Sequence, residues 1–334
     1  MNQSIDVVVV SLFNGLSGGR LALANLPHLN VLRYYSAEID KYAITVADRN
    51  FPQDIPHKLG DVTTINAVTL REQIALDFPD VPVLLIGGSP CQSFSFAGKR
   101  NGATTTTSID ITTLEQYLEL SSAGFEFEGY SYLFWEYMRI KTGLQPDYYL
   151  LENVKMSSYW KDILTGAIGN EPILINSSLQ SAQNRNRLYW TNIQGIQQPA
   201  DLNLSPADVL PDNLPAFTIE QFKPSVRNNI VREYSDILRS TKMLYQCECT
   251  SGWQDNKVGI TKSPTLRAMN TFCLIRTANN SVRRVTPTDC EILQTVPIGF
   301  TEGVSATQRM KMLGNGWTIL IISHIFSYLF KEQL

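Results

Sequence analysis

The chain has 334 residues, 43% of them hydrophobic and 18% charged, which is ordinary for a globular protein with one large or two modest domains. No apolar run reaches the roughly 18–20 residues of a membrane span, the N-terminus lacks the basic region of a signal peptide, and five scattered cysteines argue against a disulfide scaffold. The net charge of −3 hides an uneven distribution, because residues 221–290 contain eleven Lys and Arg against five Asp and Glu. Such a segment suits phosphate contacts, although charges scattered on a solvated surface are equally compatible with it.

Strand and helix signals alternate through the first half of the chain. Strands are predicted at 5–12, 31–37, just before Gly60, at 83–86 and at 148–152, and helices from 20 and at 40–50, 69–77 and 130–141. This alternation predicts an α/β fold with a parallel sheet and helices on both faces. Ligands of such sheets bind at the carboxyl ends of the strands.

The alternation is interrupted twice. Residues 103–128 are Thr-rich and then contain a short predicted helix, which indicates an insertion. Periodicity is weak from about residue 194, and helix signals return near the C-terminus. We therefore predict a first domain at 1–193, a smaller irregular domain at 194–275, and a C-terminal segment at 276–334 that returns to the first domain.

Cys91 follows the fourth strand through the turn Gly87-Gly88-Ser89-Pro90. A strand that ends in an exposed turn is a common way to present a nucleophile. A lone cysteine is also often a small buried apolar residue, and the local sequence leaves both interpretations open.

Three features at predicted strand ends indicate an adenosyl ligand. The turn Phe13–Gly19 (FNGLSGG) lies between a strand and a helix, Glu38 ends the second strand, and Asp61 follows the third. Glycines allow a ligand to approach the backbone, and an acid after the second strand can bind ribose hydroxyls. Taken alone, the turn is equally typical of an ordinary strand–helix connection.

Glu152 ends an apolar strand, where a carboxyl group is costly unless it is used, paired or acts as a cap. Arg185 and Arg187 are two residues apart on a predicted strand, so both would face one side and offer planar donors to a carbonyl or phosphate. A solvated edge strand is the alternative. The sequence Leu313–Trp317 (LGNGW) opens the last predicted helix, where a plain cap is also possible.

PCQ at 90–92, ENV at 152–154, QxRxR at 183–187 and the late GN at 314–315, in this order after FxGxxG, resemble the DNA (cytosine-5)-methyltransferase family. The resemblance covers 5–192 and 283–330 and is greatest to short bacterial and phage enzymes and to the de novo branch. It implies a Rossmann-like S-adenosylmethionine-dependent methyltransferase sheet, with 194–275 as target-recognition domain. It further implies a double-stranded DNA partner, a restriction-modification setting, a monomer, and location in the cytoplasm of a bacterial or phage-infected cell.

The resemblance also implies roles for single residues. Cys91 would add to carbon 6 of cytosine, Glu152 would hold ring nitrogen 3, and Arg187 would contact the carbonyl with support from Arg185. The implied S-adenosylmethionine site, which releases S-adenosylhomocysteine and needs no metal, comprises Phe13, Asn14, Gly15, Leu16, Gly18, Glu38, Ile39, Asp61, Val62, Pro90, Leu133, Asn315 and Gly316. The implied substrate contacts are Gln92, Ser95, Lys99, Arg100 and Asn153.

Two departures from the family pattern weaken the exact cofactor contacts. Ser17 stands where many members have glycine, and Ser11 where many bacterial members have aspartate. Phosphate contacts are expected among Arg227, Arg232, Arg239, Lys242, Lys257, Lys262 and Arg267, and the insertion is expected to add a DNA contact or a surface bulge. Alternatives are an RNA cytosine-5 methyltransferase, against which the missing CFT tripeptide argues, and a catalytically silent DNA-binding regulator, against which the intact catalytic motifs argue.

Overall fold

A computed structural model describes residues 4–91, 93–94, 102–211, 243–247, 257–259, 261–268, 272–276 and 282–330. The chain forms two compact units: the first comprises Met1–Ile175, Asn186–Gln197 and Ser323–Leu334, and the second Asn176–Arg185 and Gln198–Ile322. The three-domain division expected from the sequence stays a prediction. Among the residues that the structure describes, no helix has both the length and the apolar character needed to cross a membrane.

The first unit contains a mixed sheet of seven strands. They are β1 (Ile5–Leu12), β2 (Leu29–Ala37), β3 (Lys58–Gly60), β4 (Val83–Gly87), β5 (Tyr148–Val154), β6 (Ile173–Asn176) and β7 (Asn186–Thr191). Their order across the sheet is β3-β2-β1-β4-β5-β7-β6. Neighbours from β3 to β5 are parallel, whereas β7 runs antiparallel to β5. The predicted α/β fold is confirmed.

Helices connect these strands, and side-chain caps mark several of their starts. The helices before residue 170 are α1 (Gly18–Ala24), α2 (Lys41–Asn50), α3 (Ala67–Asp77), α4 (Leu114–Ser122), α5 (Leu133–Leu144) and α6 (Ser158–Ile168). Asp40, Asn66, Thr113 and Ser157 each accept a backbone N–H from the first turn of the helix that follows. Such caps satisfy donors that have no partner within the helix.

The core of the first unit lies against the central strands. Val7–Val10 of β1 and Val83–Ile86 of β4 are fully buried, as expected for parallel strands covered on both faces. Trp135 and Tyr137 of α5 are also fully buried. Burying each such large apolar side chain stabilises the fold by roughly 1.5–3 kcal/mol. This packing makes the carboxyl ends of β1, β4 and β5 a rigid base for side chains.

The second unit contains a four-stranded antiparallel sheet in the order β11-β10-β8-β9. Its strands are β8 (Met243–Cys247), β9 (Lys257–Gly259), β10 (Phe272–Arg276) and β11 (Val282–Arg284), and its helices are α7 (Pro206–Val209), α8 (Pro287–Leu293) and α9 (Ala306–Asn315). The last helix, α10 (Ile319–Phe326), begins in the second unit and ends in the first. The helix signals of the sequence run over 318–330, whereas α10 ends earlier because hydrogen bonds between residues three apart replace the α-helical pattern after Ile325.

Candidate active site

The loop that carries Cys91 leaves the sheet at Gly87, the last residue of β4. A Cβ at Gly87 would lie 3.0 Å from the Tyr137 ring and 3.3 Å from the Leu12 carbonyl oxygen, so a larger residue would displace the strand end. Cys91 is half-buried, and its carbonyl accepts the N–H of Phe94 at 3.0 Å in a tight turn. The strand end and the turn together define where the thiol is presented.

Two buried polar contacts hold the start of this loop. The Ser93 N–H donates to the Ser131 hydroxyl at 3.0 Å, and Asn153 Nδ2 donates to the Ser89 hydroxyl at 3.1 Å. Asn153 is only 1% exposed. We therefore propose a positioning role for Asn153, in place of the direct substrate contact expected from the sequence.

Glu152 and Arg187 form an ion pair on the neighbouring strands β5 and β7. Arg187 Nε lies 2.8 Å from Glu152 Oε1, and both side chains are largely buried. Gly87 pairs with Leu151 in the parallel β4–β5 ladder, so the Cys91 loop leaves the sheet beside Glu152. Removing one member of such a pair leaves a buried charge without its partner, at a cost of roughly 3–5 kcal/mol. The pair keeps a carboxyl and a guanidinium group together at the carboxyl end of β5.

Arg185 lies in the second unit, one residue before β7 begins, and is 3% exposed. Its Nη1 donates to the Leu266 carbonyl at 3.1 Å, and its Nη2 donates to the carbonyls of Gly314 and Gly316 at 3.1 and 2.8 Å. This arrangement differs from the expectation that both arginines of the motif address one substrate. The contacts hold the backbone on both sides of Asn315, and we propose that Arg185 positions this segment.

Gln183 and Gln294 extend the same polar network, and sequence analysis gave neither a role. Gln183 Oε1 accepts the Leu266 N–H at 2.8 Å, and its Nε2 donates to the Leu293 carbonyl at 3.1 Å. Gln294 Nε2 donates to the Leu313 carbonyl at 2.6 Å. Both glutamines are fully buried. Gln183 is part of the QxRxR pattern, so that pattern was the available signal for its importance.

The glycine turn after β1 has an unusual backbone. Phe13, Gly15 and Ser17 have φ of 55°, 55° and 65°, in the left-handed region that side chains disfavour. The Gly15 N–H donates to Glu38 Oε2 at 2.7 Å, and Glu38 Oε1 accepts the N–H groups of the next two residues at 2.9 and 2.8 Å. Glu38, at the end of β2, therefore ties the turn to its neighbouring strand.

A buried side-chain network supports the same turn. Asn14 Oδ1 accepts from the hydroxyls of Ser11 and Tyr34, both at 2.9 Å, and Asn14 Nδ2 donates to the Ser17 hydroxyl at 2.7 Å. Burial raises the pKa of Tyr34 well above its ordinary value, so it remains a donor. The two serines that depart from the family pattern are therefore both bonded to Asn14.

These residues fit S-adenosylmethionine. Glu38 is partly exposed, and a carboxylate can accept about four hydrogen bonds, so it retains capacity for a ribose hydroxyl. Ile39 is 70% exposed beside it, an apolar surface suited to an adenine ring. Asp61 caps the short 3-10 helix Val62–Thr64 through the Thr63 N–H at 2.9 Å. The other predicted cofactor residues of this unit follow β1 or β4 or begin α5: Leu16, Gly18, Pro90 and Leu133.

Asn315 ends α9 in the second unit, and Gly316 is its C-cap. Lys262 Nζ donates to the carbonyls of Ser178 and Ser181 at 2.5 and 3.2 Å, so it has partners within the second unit besides any phosphate. Several predicted contacts lie outside the described residues: Gln92, Ser95, Lys99, Arg100, Arg227, Arg232, Arg239 and Lys242. Within the described ranges no three His, Cys, Asp or Glu side chains are grouped to hold a metal.

Comparison with known proteins shows what this chain is similar to. Residues 7–162 match the family of C-5 cytosine-specific DNA methylases. The chain is 28% identical over 343 residues to the type II methyltransferase M1.ScrFI of Lactococcus lactis subsp. cremoris, across 95% of this chain and 76% of the relative. It is 26% identical over 342 residues to the type II methyltransferase M.HhaI of Haemophilus parahaemolyticus, across 95% and 92%.

Solved structures agree on the fold. The methyltransferase EhMeth of Entamoeba histolytica superposes with a TM-score of 0.61 at 16% identity, covering 99% of both chains. The Dnmt2 methyltransferase of S. pombe gives 0.61 at 13% identity, covering 98% of this chain and 99% of that chain. The matched segment carries both Cys91 and Glu152 in their motifs, and together with the similarity to type II methyltransferases it supports a DNA cytosine-5 methyltransferase family for this chain.

Proposed function

We propose that this protein transfers a methyl group from S-adenosylmethionine to carbon 5 of cytosine in double-stranded DNA, as a monomer. The Glu152–Arg187 pair carries the proposal, because it lies beside the strand whose following loop presents Cys91. A thiol, a carboxyl group and a guanidinium group at one strand edge are the groups that covalent activation of a pyrimidine needs. The similarity to C-5 cytosine-specific DNA methylases supports DNA as the substrate and S-adenosylmethionine as the methyl donor.

The first step is addition of the Cys91 thiolate to carbon 6 of the base. A free thiol is largely protonated at neutral pH, so the reaction begins from the ionised minority and depends on stabilising the charge that moves into the ring. The new carbon–sulfur bond places electron density on ring nitrogen 3 and carbon 5. Carbon 5, which is otherwise a weak nucleophile, becomes enamine-like.

Glu152 and Arg187 act on the charge that this addition creates. Glu152, protonated from solvent as the base binds, donates its proton to ring nitrogen 3 and takes it back when the thiolate leaves, while Arg187 donates to the neighbouring carbonyl. Their ion pair shows that the two side chains are already held in reach of each other. Binding of the base therefore requires the guanidinium group to exchange part of its contact with the carboxylate for one with the carbonyl.

Bound S-adenosylmethionine supplies an electrophilic methyl group. Once carbon 5 carries the methyl group, its proton leaves to a base or water, the ring double bond re-forms, and the thiolate of Cys91 is expelled. None of these steps is possible inside a stacked duplex, so the cytosine must be flipped out at a cost of a few kcal/mol. Asn153 and Ser131, which hold the start of the loop, keep Cys91 in place for that base.

Trapping with 5-fluorocytosine tests the covalent step. Fluorine cannot leave as the proton does, so duplex DNA with 5-fluorocytosine at the target should yield a stable protein–DNA adduct in the presence of S-adenosylmethionine. Bisulfite sequencing of DNA from expressing cells identifies that target. Single-stranded RNA with the same substitution, tested in parallel, distinguishes a DNA from an RNA substrate.

Cys91→Ser should abolish both the adduct and methyl transfer while DNA binding persists. Cys290→Ser is the matched control, since Cys290 is buried in α8. Full turnover by Cys91→Ser, or loss of the adduct in Cys290→Ser alone, would refute the mechanism.

A further inference from the structure

The insertion at 103–128 is packed into the first unit. Thr105 forms a bridge with Phe127, which closes the insertion on itself. Ile111 is fully buried, and its carbonyl accepts from Trp135 Nε1 of α5 at 3.2 Å. An insertion fixed in this way can restrict the position of α5, the helix on which it packs.

Tyr117 makes a second polar contact between the insertion and α5. Its buried ring packs against Phe127 and Tyr132, with centroid distances of 5.2 and 6.2 Å, and these two rings also stack on each other. Its hydroxyl donates to Glu136 Oε1 at 2.6 Å. Burial, and then the hydrogen bond to the Glu136 carboxylate, raise the pKa of Tyr117, so the hydroxyl remains a donor at any physiological pH.

Glu136 also binds Arg139, which lies three residues later in α5. Glu136 Oε2 accepts from Arg139 Nε and Nη2 at 2.9 and 2.6 Å, so one oxygen of this buried carboxylate holds two nitrogens of the guanidinium group. Arg139 then donates to the carbonyls of Ile65 and Val62 at 2.8 and 3.1 Å. One continuous chain of hydrogen bonds therefore runs from Tyr117 to the backbone of residues 62–65.

This backbone includes Val62 and directly follows Asp61, two of the residues that we propose bind the cofactor. Val62–Thr64 is a single turn of 3-10 helix directly after β3, and Asp61 is its N-cap. A turn this short has few hydrogen bonds of its own, so its position depends on outside contacts. Arg139 supplies two such contacts to its carbonyl side.

The charge of the insertion argues against the DNA contact considered from the sequence. Residues 103–128 contain five acidic residues and no Lys or Arg. They are Asp110, Glu115, Glu119, Glu126 and Glu128. Because the DNA backbone is anionic, such a segment would be repelled by it.

We propose that the insertion acts as a brace for the S-adenosylmethionine site, with Tyr117 as a positioning residue that works through Glu136 and Arg139 on the turn at 62–65. This inference rests on the proposed function for the identity of the ligand. Tyr117 is buried and its hydroxyl is bonded to Glu136, so it acts through other residues. Its loss should therefore weaken cofactor binding and leave the chemical step and DNA affinity unchanged.

Tyr117→Phe removes only the hydroxyl and retains the ring packing. Because a hydrogen bond to a charged group is lost, we expect the Kd for S-adenosylmethionine and for S-adenosylhomocysteine to rise roughly three- to tenfold. Isothermal titration calorimetry measures both constants without any methylation. Steady-state kinetics should show the same rise in KM for S-adenosylmethionine, with kcat and the KM for DNA within twofold of wild type.

Tyr149→Phe is the matched control. Tyr149 is also buried, and its hydroxyl donates to Asn170, but it lies at the amino end of β5, away from the strand ends that carry the site. We expect Tyr149→Phe to leave the affinity for S-adenosylmethionine unchanged even if it lowers the melting temperature. Equal effects of the two variants, or a Tyr117→Phe affinity within twofold of wild type, would overturn the proposal.

The outcome separates this inference from the proposed function. If the wild type binds S-adenosylmethionine, Tyr117→Phe weakens that binding, and no DNA cytosine is methylated, the brace stands and the proposed reaction is wrong. If DNA is methylated and Tyr117→Phe has no effect on cofactor affinity, the reaction stands and the brace is wrong. A wild type that does not bind S-adenosylmethionine contradicts both.

Discussion

Ser17 has a backbone conformation that favours glycine, and its substitution tests how the cofactor turn is stabilised. Its φ and ψ are 65° and 40°, it is buried, and it makes no side-chain hydrogen bond to the helix that it precedes. Its hydroxyl instead accepts from Asn14 Nδ2 at 2.7 Å. Two opposing terms therefore act at this position: the strain of the left-handed backbone and the hydrogen bond to Asn14.

The two terms can be separated with Ser17→Ala and Ser17→Gly. A non-glycine residue in the left-handed region costs about 1–2 kcal/mol, and a hydrogen bond of this kind contributes about 1 kcal/mol. Ser17→Ala keeps the backbone strain and loses the hydrogen bond, so it should destabilise the protein by about 1–3 kcal/mol. The upper end of this range applies if the amide of Asn14 finds no other acceptor. Ser17→Gly loses the bond but relieves the strain, so its net effect should be about zero.

Urea unfolding of the three proteins at neutral pH measures the difference. Glycine should be more stable than alanine at position 17 by about 1–2 kcal/mol, the reverse of the order expected inside a helix. The affinity for S-adenosylmethionine should follow the same order if the turn contacts the ligand. An alanine variant as stable as the glycine variant would show that the backbone at Ser17 is unstrained and that this account of the turn is wrong.

Two further predictions concern single carboxyl groups. Glu152→Gln should lower kcat for methyl transfer by about 10²–10⁴-fold, because the proton donor to the base and the charged partner of Arg187 are both lost. The Kd for S-adenosylmethionine should be unchanged, since the residues proposed to hold the cofactor are kept. Single-turnover transfer of labelled methyl groups measures the rate, and a loss under tenfold would contradict the assigned role. Burial alone would raise the pKa of Glu291, but hydrogen bonds from Thr301, Gly299 and Arg309 outweigh it and hold this pKa below its ordinary 4.5. Because the pKa is lower in the folded state, the stabilisation is complete above pH 4.5 and is lost as the pH falls through the folded value. Urea midpoints between pH 6 and pH 3 should therefore fall less steeply for Glu291→Gln than for wild type, and parallel curves would count against this linkage.

Most of the sheet was predictable from the sequence because its strands are buried on both faces. Continuous apolar runs such as Val7–Val10 and Val83–Ile86 have few other stable arrangements in a chain of alternating strands and helices. The end of β2 followed from the same pattern, and with it the placement of Glu38, whereas β5 continues to Val154, two residues past the predicted end at Glu152. Helix ends were less predictable, since α10 stops through a local change in hydrogen bonding within an apolar sequence.

The arginine pair shows why side-chain partners were harder to predict than strands. The i, i+2 spacing places two residues on one face only if both lie within the strand, and β7 begins after Arg185. Arg187 consequently reaches Glu152, whereas Arg185 binds three backbone carbonyls. Whether the strand includes position 185 therefore determines which of the two arginines lies at the proposed reaction site.

The contacts that support the proposed site were not predictable from the sequence, because most of their acceptors are backbone carbonyls. Arg185 binds the carbonyls around Asn315, and Arg139 binds those of Val62 and Ile65. A carbonyl is present at every residue, so no residue type marks the acceptor, and only the donor can be recognised. Substitutions at the acceptor positions should therefore be tolerated wherever the backbone conformation is unchanged. The donor arginines should not tolerate even lysine, because an ammonium group cannot bind two carbonyls with the planar geometry of a guanidinium group. The proposed role of the insertion as a brace depends on one such donor, Arg139. This role therefore follows from the structure and not from the composition of residues 103–128.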